Sequence, residues 1–307
     1  MSIETIVDDL EDRFNRTADD LAAMPKKCLI KLEDAVHGYF VRRWIAEKTK
    51  GGMPLFEDIA LETINYCNGT CSFCPINRYT NTRPRVVMPF KLFRNILLQL
   101  RDLNFKGTVS MCGNNEPLLD VRIFDWCAKV KHTVPGAKVV MVTNGTILTA
   151  TNICKLMEHV DHLTIDNYRG EEGREHIDTL NVFRFGHSIA VNHIPANAVR
   201  TARAGQAPNK RAIAGLKSPC DLPFRSMLIR GDGGVSQCCA DALGVSTMGN
   251  AYDQSLVDIW NGQKLQQVRK QLLGSRQYNQ LCRECDVFNC FPTWLRVIKR
   301  AVVGRRI

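Results

Sequence analysis

The pattern of apolar and polar positions changes twice along the chain. Residues 1–50 form two amphipathic helical stretches, at about 3–24 and 28–48, which end at Gly51-Gly52. Beyond residue 57, short apolar strands alternate with amphipathic helices. The strands are predicted at 58–66, 107–111, 138–142, 162–165 and 183–191, and the helices at 89–103, 121–132 and 149–159. This alternation predicts right-handed β-α-β units in a parallel sheet or barrel, whose strand C-termini carry the chemistry.

The pattern changes again after about residue 206. Two apolar strands flank Asp232-Gly233, which predicts a β-hairpin, and residues 255–273 are predicted as one long helix. We therefore divide the chain into four segments. They are a helical extension at 1–52, an α/β core at 53–206, a small hairpin-and-helix domain at 207–290 and a basic amphipathic helix at 291–307.

The composition is that of a globular protein, with 45% hydrophobic and 23% charged residues among 307. No apolar run approaches the length of a transmembrane helix, and the first residues lack the apolar core of a signal peptide, so we expect a cytoplasmic protein. The unusual number is 13 cysteines. In a cytoplasmic chain of this length they indicate metal or redox chemistry rather than disulfides.

The net charge of +10 does not by itself identify a partner. No helix-turn-helix or zinc-finger spacing accompanies the basic residues, so we do not expect nucleic-acid binding. The last segment carries an apolar face that includes Phe291, Trp294 and Ile298, beside several arginines. Such a helix docks on the body of the protein by default, and its alternative is a peripheral contact with an anionic membrane.

Three cysteines follow the first predicted strand directly. Cys67, Cys71 and Cys74 have the spacing C-x3-C-x2-C, which places them on the loop at the strand's C-terminal end. Three thiolates in a tight loop can hold three irons of a four-iron cluster and leave the fourth iron open to another molecule. Zinc usually takes four protein ligands in a structural site, so three would leave it incomplete.

This loop resembles that of the radical S-adenosylmethionine (SAM) superfamily. The resemblance implies that a 4Fe-4S cluster on the three cysteines binds SAM and cleaves it reductively to methionine and a 5′-deoxyadenosyl radical. Phe73 occupies the aromatic position that packs on adenine in the family. The electron for this cleavage implies a donor such as a flavodoxin or ferredoxin. A zinc knuckle, or cysteines that are simply buried, is the alternative.

Further features in the same order resemble the superfamily. The stretch GNNEPL, which begins at Gly113, is similar to the family's Gly-Gly-Glu-Pro motif, with asparagine where a second glycine is usual. The resemblance implies that Gly113, Asn115 and Glu116 contact SAM. Asn144 and Asn167, at the ends of the next two strands, are implied to lie near its ribose or the substrate. Both asparagines also fit ordinary turn chemistry.

A second group of cysteines lies in the last third of the chain. Together with the hairpin and a tryptophan-containing helix, it resembles the SPASM/twitch domain, which binds an auxiliary 4Fe-4S cluster. The ligands implied by this resemblance are Cys220, Cys238, Cys282 and Cys285. Cys239 and Cys290 are the neighbours that could replace one of them. Zinc in the same four-thiolate site is the alternative.

The resemblance is greatest to the 2-deoxy-scyllo-inosamine dehydrogenase group, and it covers about residues 53–290. It implies an α/β fold: a partial (β/α)6-type radical SAM barrel with a small C-terminal β-hairpin/helix SPASM-twitch domain. An arginine of that group contacts the alcohol being oxidised. Arg203, in the stretch ARAG, stands at the matching position, and an ion pair with a core carboxylate is its alternative role.

The function implied is that of a radical SAM oxidoreductase, dehydrogenase-like, acting on a small sugar- or cyclitol-like molecule. It abstracts hydrogen and converts a secondary alcohol into a ketone, and the auxiliary cluster accepts the remaining electron. The basic surplus would suit an anionic substrate. The alternatives are an epimerase that uses a thiol hydrogen donor such as Cys112 or Cys239, a peptide-modifying SPASM maturase, and a zinc-stabilised basic adaptor that is not an enzyme.

Overall fold

A computed structural model describes residues 26–180, 182–195, 198, 200–208 and 215–287. The amphipathic stretch predicted at 3–24, Cys290 and the predicted C-terminal helix lie outside these residues. Within the described ranges, no helix combines the length and the apolar character needed to cross a membrane.

Eight strands form one sheet. They are β1 (Asp58–Leu61), β2 (Thr108–Ser110), β3 (Lys138–Thr143), β4 (His162–Asn167), β5 (Ile189–His193), β6 (Ser226–Ile229), β7 (Gly234–Ser236) and β8 (Thr247–Asn250). Their order is β5-β4-β3-β2-β1-β6-β7-β8. The first six in this order pair in parallel, whereas β6–β7 and β7–β8 pair antiparallel. The C-terminal ends of six parallel strands therefore meet at one edge, as a (β/α)6-type barrel requires.

Seven α-helices are described around this sheet. They are α1 (Lys26–Thr49), α2 (Phe90–Asp102), α3 (Ile123–Thr133), α4 (Ala150–Met157), α5 (Gly170–Thr179), α6 (Leu256–Asn261) and α7 (Gln263–Gly274). The helix α2 begins after Pro89 and buries five apolar side chains at helical spacing, Leu92, Phe93, Ile96, Leu97 and Leu100. A reciprocal pair of hydrogen bonds between Thr149 and Asn152 caps the start of α4. The α/β alternation predicted from the sequence is confirmed.

The strand β1 lies at the centre of the parallel region, between β2 and β6. Ile59 and Leu61 are fully buried, as are the neighbouring strand residues Val109, Val139 and Leu163. Because β6 belongs to the C-terminal third of the chain, the pairing of β1 with β6 joins that third to the α/β core through backbone hydrogen bonds.

The structure differs from the predicted elements at three places. The first strand ends at Leu61, because the next residues turn to meet an irregular segment through the Ile64–Val87 bridge. Residues 183–188 form 3-10 turns, so β5 begins only at Ile189. The single helix predicted at 255–273 is two helices, since Gly262 between them has an extended backbone (φ −66°, ψ 153°). The helix α5 and the strand β8 were not predicted.

The hairpin predicted around Asp232-Gly233 is confirmed. Gly233 has a left-handed backbone with φ 80°, which glycine adopts without the cost that a Cβ would add. The Asp232 carboxylate accepts a hydrogen bond of 2.9 Å from the backbone N–H of Gly234. The turn therefore closes β6 against β7 by the local chemistry that its residue types predict.

The N-terminal helix α1 packs against the segment that leads into Cys220. The Asp34 carboxylate accepts hydrogen bonds from the backbone N–H groups of Lys217 and Ser218, at 2.8 and 3.0 Å. The His37 ring lies 3.0 Å from the Ser218 hydroxyl, and this contact is buried. The helix thus fixes the backbone two residues before Cys220.

Candidate active site

The sequence motifs meet where the parallel strands end. Glu62 follows β1, the stretch from Gly113 to Glu116 follows β2, Asn144 follows β3, and Asn167 is the last residue of β4. All of them sit at the C-terminal edge of the sheet, where α/β folds place their ligands. Short loops therefore bring together residues that are more than 100 positions apart in the chain.

The loop that carries Cys67, Cys71 and Cys74 is held by a buried asparagine. The side-chain nitrogen of Asn77 donates to the backbone carbonyls of Cys71 and Cys74, at 3.1 Å each. The backbone N–H of Gly69 donates to the Cys67 sulfur at 3.2 Å. The three half-buried sulfurs thus share one compact loop. Sequence reasoning missed Asn77, although its place three residues after Cys74 suits a side chain that caps a tight turn.

Burial controls the acidity of these cysteines. Burial, together with the neighbouring sulfurs, raises the pKa of Cys67 and of Cys71 to about 11. Three adjacent thiolates are therefore unfavourable without a positive charge between them. Iron would supply that charge, because metal ligation requires and stabilises the deprotonated form.

Asn144 connects the cysteine loop to the end of β3. Its side-chain nitrogen donates to the Asn68 side chain at 2.9 Å and lies 3.7 Å from the Cys67 sulfur. Its backbone N–H donates to the Glu116 carboxylate at 2.8 Å. Asn144 thus holds the first cysteine and the predicted SAM-binding acid in fixed relative positions.

Glu116 is buried and accepts three hydrogen bonds. One carboxylate oxygen accepts from the Leu118 backbone at 3.1 Å and from the Thr143 hydroxyl at 2.7 Å, and the other accepts from the Asn144 backbone. Burial raises the pKa of Glu116, and these donors oppose the rise. A carboxylate has about four acceptor positions, so the oxygen that faces Asn144 keeps one for a further donor.

The asparagines of the GNNEPL stretch adopt ordinary backbone conformations, since neither has a positive φ. The Asn115 side-chain oxygen accepts from the Gly113 N–H at 2.8 Å, and its side-chain nitrogen is buried without a hydrogen-bond partner in the described part of the chain. A Cβ at Gly113 would lie 2.9 Å from the Glu62 side chain, so the glycine permits this close approach. An orphan donor beside a glycine edge suits an anionic or carbonyl group of a ligand.

Glu62 forms hydrogen bonds that hold the backbone of this edge in place. Its carboxylate accepts from the Asn114 N–H at 3.0 Å and pairs with Arg83 at 2.8 Å. Arg83 also donates to the Asn114 carbonyl at 3.1 Å. Burial raises the pKa of Glu62 to about 7, although the Arg83 charge opposes the rise. The sequence contained no local signal for this pair, because its two members are 21 residues apart.

Phe73 and Asn167 differ in their surroundings. The Phe73 ring lies 5.4 Å from the Tyr168 ring, and the Tyr168 hydroxyl donates to Asp166 at 2.9 Å. Asn167 is buried, and its side chain donates to the Gly170 carbonyl and accepts from the Arg169 N–H at the start of α5. These contacts place Asn167 in the turn that leads into α5, and its proximity to the SAM ribose or the substrate stays a prediction.

The four cysteines of the second group line one cavity. Cys220, Cys238, Cys282 and Cys285 are each buried, and they line a small cavity together with Ala204, Leu222, Ala240 and Arg276. Burial raises the pKa of Cys220 to about 11 and that of Cys282 to about 12. Cys238 and Cys282 are 44 positions apart in the chain, and the fold brings together the four cysteines that the resemblance to the SPASM/twitch domain implies.

A single metal ion has no ready site here. Among the described residues, no three His, Cys, Asp or Glu side chains are placed to hold one. Four thiolates around a cavity have the number and kind of ligands that a 4Fe-4S cluster takes, with each sulfur on a different iron.

Arg203 lies in a turn with an unusual backbone. Arg203, Ala204 and Gly205 have successive positive φ angles of 46°, 52° and 81°. The first two are costly for residues with a Cβ, and such strain concentrates at functional sites. The backbone N–H of Ala202 donates to Asp286 at 2.7 Å, so this turn is tied to the segment after Cys285.

Side chains from two of the predicted motifs donate hydrogen bonds to the Cys239 carbonyl. The Arg203 guanidinium donates to it at 3.1 Å, and the Asn114 side chain donates to it at 3.4 Å. Cys239 itself is exposed and directly follows the buried Cys238. One backbone oxygen therefore links the predicted SAM edge, the predicted substrate arginine and the second cysteine group.

Two family models match the chain. The Radical SAM superfamily model matches residues 61–167, and the SPASM iron-sulfur cluster-binding domain model matches residues 220–286. The S-adenosyl-L-methionine-dependent 2-deoxy-scyllo-inosamine dehydrogenase of Niallia circulans is 27% identical over 236 residues, which cover 76% of this chain and 93% of that protein.

Solved structures agree with these matches. The crystal structure of BtrN in complex with AdoMet and 2-DOIA superposes with a TM-score of 0.67 at 26% identity, covering 76% of this chain and 94% of that one. The structure of anSMEcpe with bound AdoMet has a TM-score of 0.53 at 11% identity, covering 81% of this chain and 93% of that one, and shows the fold alone. The predicted fold class and the predicted cofactors, SAM and iron-sulfur clusters, are confirmed. The chain is a member of the radical SAM superfamily, with a SPASM domain C-terminal to its α/β core.

Proposed function

We propose that this enzyme oxidises a secondary alcohol of a small cyclitol-like molecule to a ketone. The observation that carries the proposal is the convergence on the Cys239 carbonyl, which joins Arg203 to both the SAM edge and the auxiliary cysteines. The 27% identical dehydrogenase, whose name gives 2-deoxy-scyllo-inosamine as its substrate, supports this reaction class. Bound together, SAM and the two clusters supply an acceptor for one hydrogen atom and an acceptor for one electron. With the hydroxyl proton, which leaves to solvent, these are the equivalents that an alcohol loses when it becomes a ketone.

We assign the first 4Fe-4S cluster to Cys67, Cys71 and Cys74. Their shared loop, its hydrogen bonds through Asn77, and the need for positive charge among the buried sulfurs support this assignment. Three protein ligands leave one iron open, as a chelated SAM requires. The auxiliary cluster belongs to the cavity of the second cysteine group, and its four ligands are Cys220, Cys238, Cys282 and Cys285.

SAM is proposed to lie along the β2 and β3 ends. Glu116 would accept from its amino group with the oxygen that keeps a lone pair, and the orphan amide nitrogen of Asn115 would donate to its carboxylate. The Gly113 edge and Asn144 bound the same space. Phe73 would pack on the adenine ring from the side opposite Tyr168.

Arg203 is proposed to orient the substrate alcohol. Its guanidinium has five donors, and the contact with the Cys239 carbonyl uses one of them. A fixed cation near the reacting oxygen stabilises negative charge that develops as the hydroxyl proton leaves. The same charge would favour an anionic substrate, as the net charge of +10 does.

The four segments predicted from the sequence remain our division of the chain: the extension at 1–52, the core at 53–206, the SPASM/twitch unit at 207–290 and the helix at 291–307. The family matches at 61–167 and 220–286 fall on either side of the boundary at residue 206. We also propose a cytoplasmic location, because thiolates that ligate iron must stay reduced.

The electron donor is proposed to be an acidic carrier such as flavodoxin or ferredoxin. Residues 63–101 contain six basic residues and no acidic one. The Arg78 N–H donates to the Gly69 carbonyl at 2.9 Å, and the Arg85 guanidinium lies 5.0 Å from the Tyr66 ring, so both exposed arginines border the first cysteine loop. An acidic surface would be attracted to this face, beside the first cluster.

A charge reversal tests this face. Arg78→Glu with Arg85→Glu should slow SAM cleavage driven by reduced flavodoxin about tenfold, with a steep salt dependence. The same variant should keep its activity with dithionite, a small reductant that needs no docking surface. Lys264→Glu with Lys270→Glu makes the same change of charge on α7 and serves as the control. Equal rates with flavodoxin in both variants would contradict the proposed face.

The reaction itself is tested on anaerobically reconstituted protein with dithionite and SAM. The protein is supplied with amino-sugars, aminocyclitols or nucleotide sugars in deuterated water, and mass spectrometry follows 5′-deoxyadenosine and product. The dehydrogenase proposal predicts 5′-deoxyadenosine together with a product lighter by two hydrogens. A product of unchanged composition that carries one deuterium would instead identify an epimerase with a thiol hydrogen donor.

A further inference from the structure

Arg276 is fully buried beside the auxiliary cysteines. It opens a short 3-10 turn after α7, none of its surface is exposed, and its side chain lines the same cavity as the four sulfurs. Sequence analysis did not single it out, because nothing near residue 276 in the chain marks it. The fold brings it to Cys220, which is 56 positions earlier.

The guanidinium of Arg276 is held entirely by backbone oxygens. Its Nε donates to the Ser218 carbonyl at 2.8 Å, one Nη donates to the Val287 carbonyl at 2.7 Å, and the other donates to the Pro219 carbonyl at 3.3 Å. No Asp or Glu in the described ranges forms an ion pair with it. By contrast, the buried guanidinium of Arg83 is paired with Glu62.

A buried guanidinium without a counter-ion is unfavourable. Arginine stays protonated in proteins, so the charge cannot be relieved by loss of a proton. Carbonyl oxygens satisfy its hydrogen bonds, but they carry only partial charge, and burying an uncompensated ion costs several kcal/mol. An anion close by would therefore stabilise this position.

The cavity provides the place for that anion. A 4Fe-4S cluster held by four thiolates carries a net negative charge, since the sulfides and thiolates outweigh the irons. Arg276 lines the same cavity as the four sulfurs, so its charge lies beside the place of the cluster. The positive charge of Arg276 and the negative charge of the cluster are therefore complementary.

We infer that Arg276 is the counter-ion of the auxiliary cluster, and that its charge raises the cluster's reduction potential so that it can accept the electron of the substrate radical. The inference rests on the four-cysteine assignment proposed above. Reduction adds one negative charge to the cluster, so a fixed cation stabilises the reduced form more than the oxidised form. Arg276 is thus a positioning residue that tunes the acceptor, and it touches no substrate.

The bonds to the chain give this cation a fixed place. Ser218 and Pro219 directly precede Cys220, and Val287 follows Cys285 by two residues. One guanidinium therefore hydrogen-bonds to both backbone segments that carry the first and last ligands. The competing explanation is that Arg276 only holds these two segments together, so the experiment must separate the effect of its charge from that of its hydrogen bonds.

Arg269 provides the matched control. It is also a buried arginine whose donors go to backbone carbonyls, from Nε to Pro223 at 2.8 Å and from Nη1 to Trp260 at 2.7 Å. Its guanidinium stacks on the Trp260 ring and does not line the cysteine cavity. A loss of buried hydrogen bonds is therefore common to both positions, whereas a loss of charge beside the cluster is specific to Arg276.

The experiment uses full-length protein with Cys67, Cys71 and Cys74 replaced by alanine, so that the auxiliary cluster is titrated alone. Arg276→Gln, Arg276→Lys and Arg269→Gln are compared by iron and sulfide content and by redox titration followed by electron paramagnetic resonance. We expect Arg276→Gln to weaken electron uptake at least tenfold, which is about 59 mV for one electron. Arg276→Lys and Arg269→Gln should stay within threefold of the parent.

An unchanged potential in Arg276→Gln would overturn the inference, and so would equal shifts in Arg276→Gln and Arg269→Gln. If Arg276→Gln holds no cluster, Arg276→Lys decides: a loaded cluster at the parent potential supports the role of the charge, and an empty site refutes it. If neither the parent nor Arg269→Gln holds four irons, the ligand assignment itself fails and the inference falls with it.

Discussion

Replacing Glu116 with glutamine tests whether the β2 end binds the amino group of SAM. Glutamine keeps the shape of the side chain and converts one acceptor oxygen into a donor. In the better orientation its oxygen keeps the bonds from Leu118 and Thr143, and its NH2 group faces the Asn144 N–H. One hydrogen bond is lost and two donors oppose each other at the position where the ammonium of SAM would bind.

The structure sets the expected loss of stability and the expected loss of SAM affinity. An unsatisfied buried donor costs about 1–3 kcal/mol. Removal of a buried charge offsets part of this, since burial raises the pKa of Glu116. We therefore expect a stability loss of about 1 kcal/mol. The hydrogen bond to an ammonium is worth about 1.5–3 kcal/mol, so SAM should bind about 10- to 100-fold more weakly.

The assay measures SAM binding to reconstituted protein by calorimetry, and stability by urea unfolding of the same preparation. Asp241→Asn is the control, because Asp241 is also a buried carboxylate with three donors, from Gln206, Val245 and Ser246. It should lose similar stability while its SAM affinity stays near that of the parent. A SAM affinity for Glu116→Gln within threefold of the parent, with the cluster loaded, would refute the assignment.

Three further substitutions follow from the structure. Burial raises the pKa of Glu62 from 4.5 to about 7, so the folded chain holds more protons in this interval and should lose about 3 kcal/mol of stability as the pH rises through it; urea unfolding of Glu62→Gln should lack this slope. Trp260→Phe removes a 2.7 Å hydrogen bond to the Pro54 carbonyl from a buried site and should cost about 2 kcal/mol of thermal stability. Gly205→Ala places a Cβ against the Glu284 carboxylate at φ 81° and should destabilise by about 1–2 kcal/mol. A change below about 0.5 kcal/mol in either of the last two would contradict the corresponding argument.

Local patterns determined much of the fold and both cysteine groups. The period of the apolar residues placed the strands from β1 to β4 and the helices between them. Cys67, Cys71 and Cys74 were recognisable from their close spacing, because ligands that share one short loop must also lie close together in the sequence. The hairpin at Asp232-Gly233 was predictable for the same reason, since the two residues carry the chemistry of their own turn.

Some elements were predicted wrongly or missed, because the local pattern of residues did not match the fold at those places. The helix predicted at 255–273 is interrupted at Gly262, where the backbone is extended. The helix α5 was missed because only Ile177 and small residues face the core, so its apolar period is weak. The Asn167 amide is engaged at the start of that unpredicted helix, and its role beside the cofactor stays a prediction.

The sequence by itself determined the family and the order of the elements, because both are encoded within short stretches, and it also predicted the cysteines that we assign to iron. The tertiary structure alone decided which distant residues act on them. The contact of Arg203 with the Cys239 carbonyl spans 36 positions, and Arg276 reaches Ser218 across 58. No local pattern specifies such pairs, since they form only when segments that are distant in the sequence pack together in the folded chain.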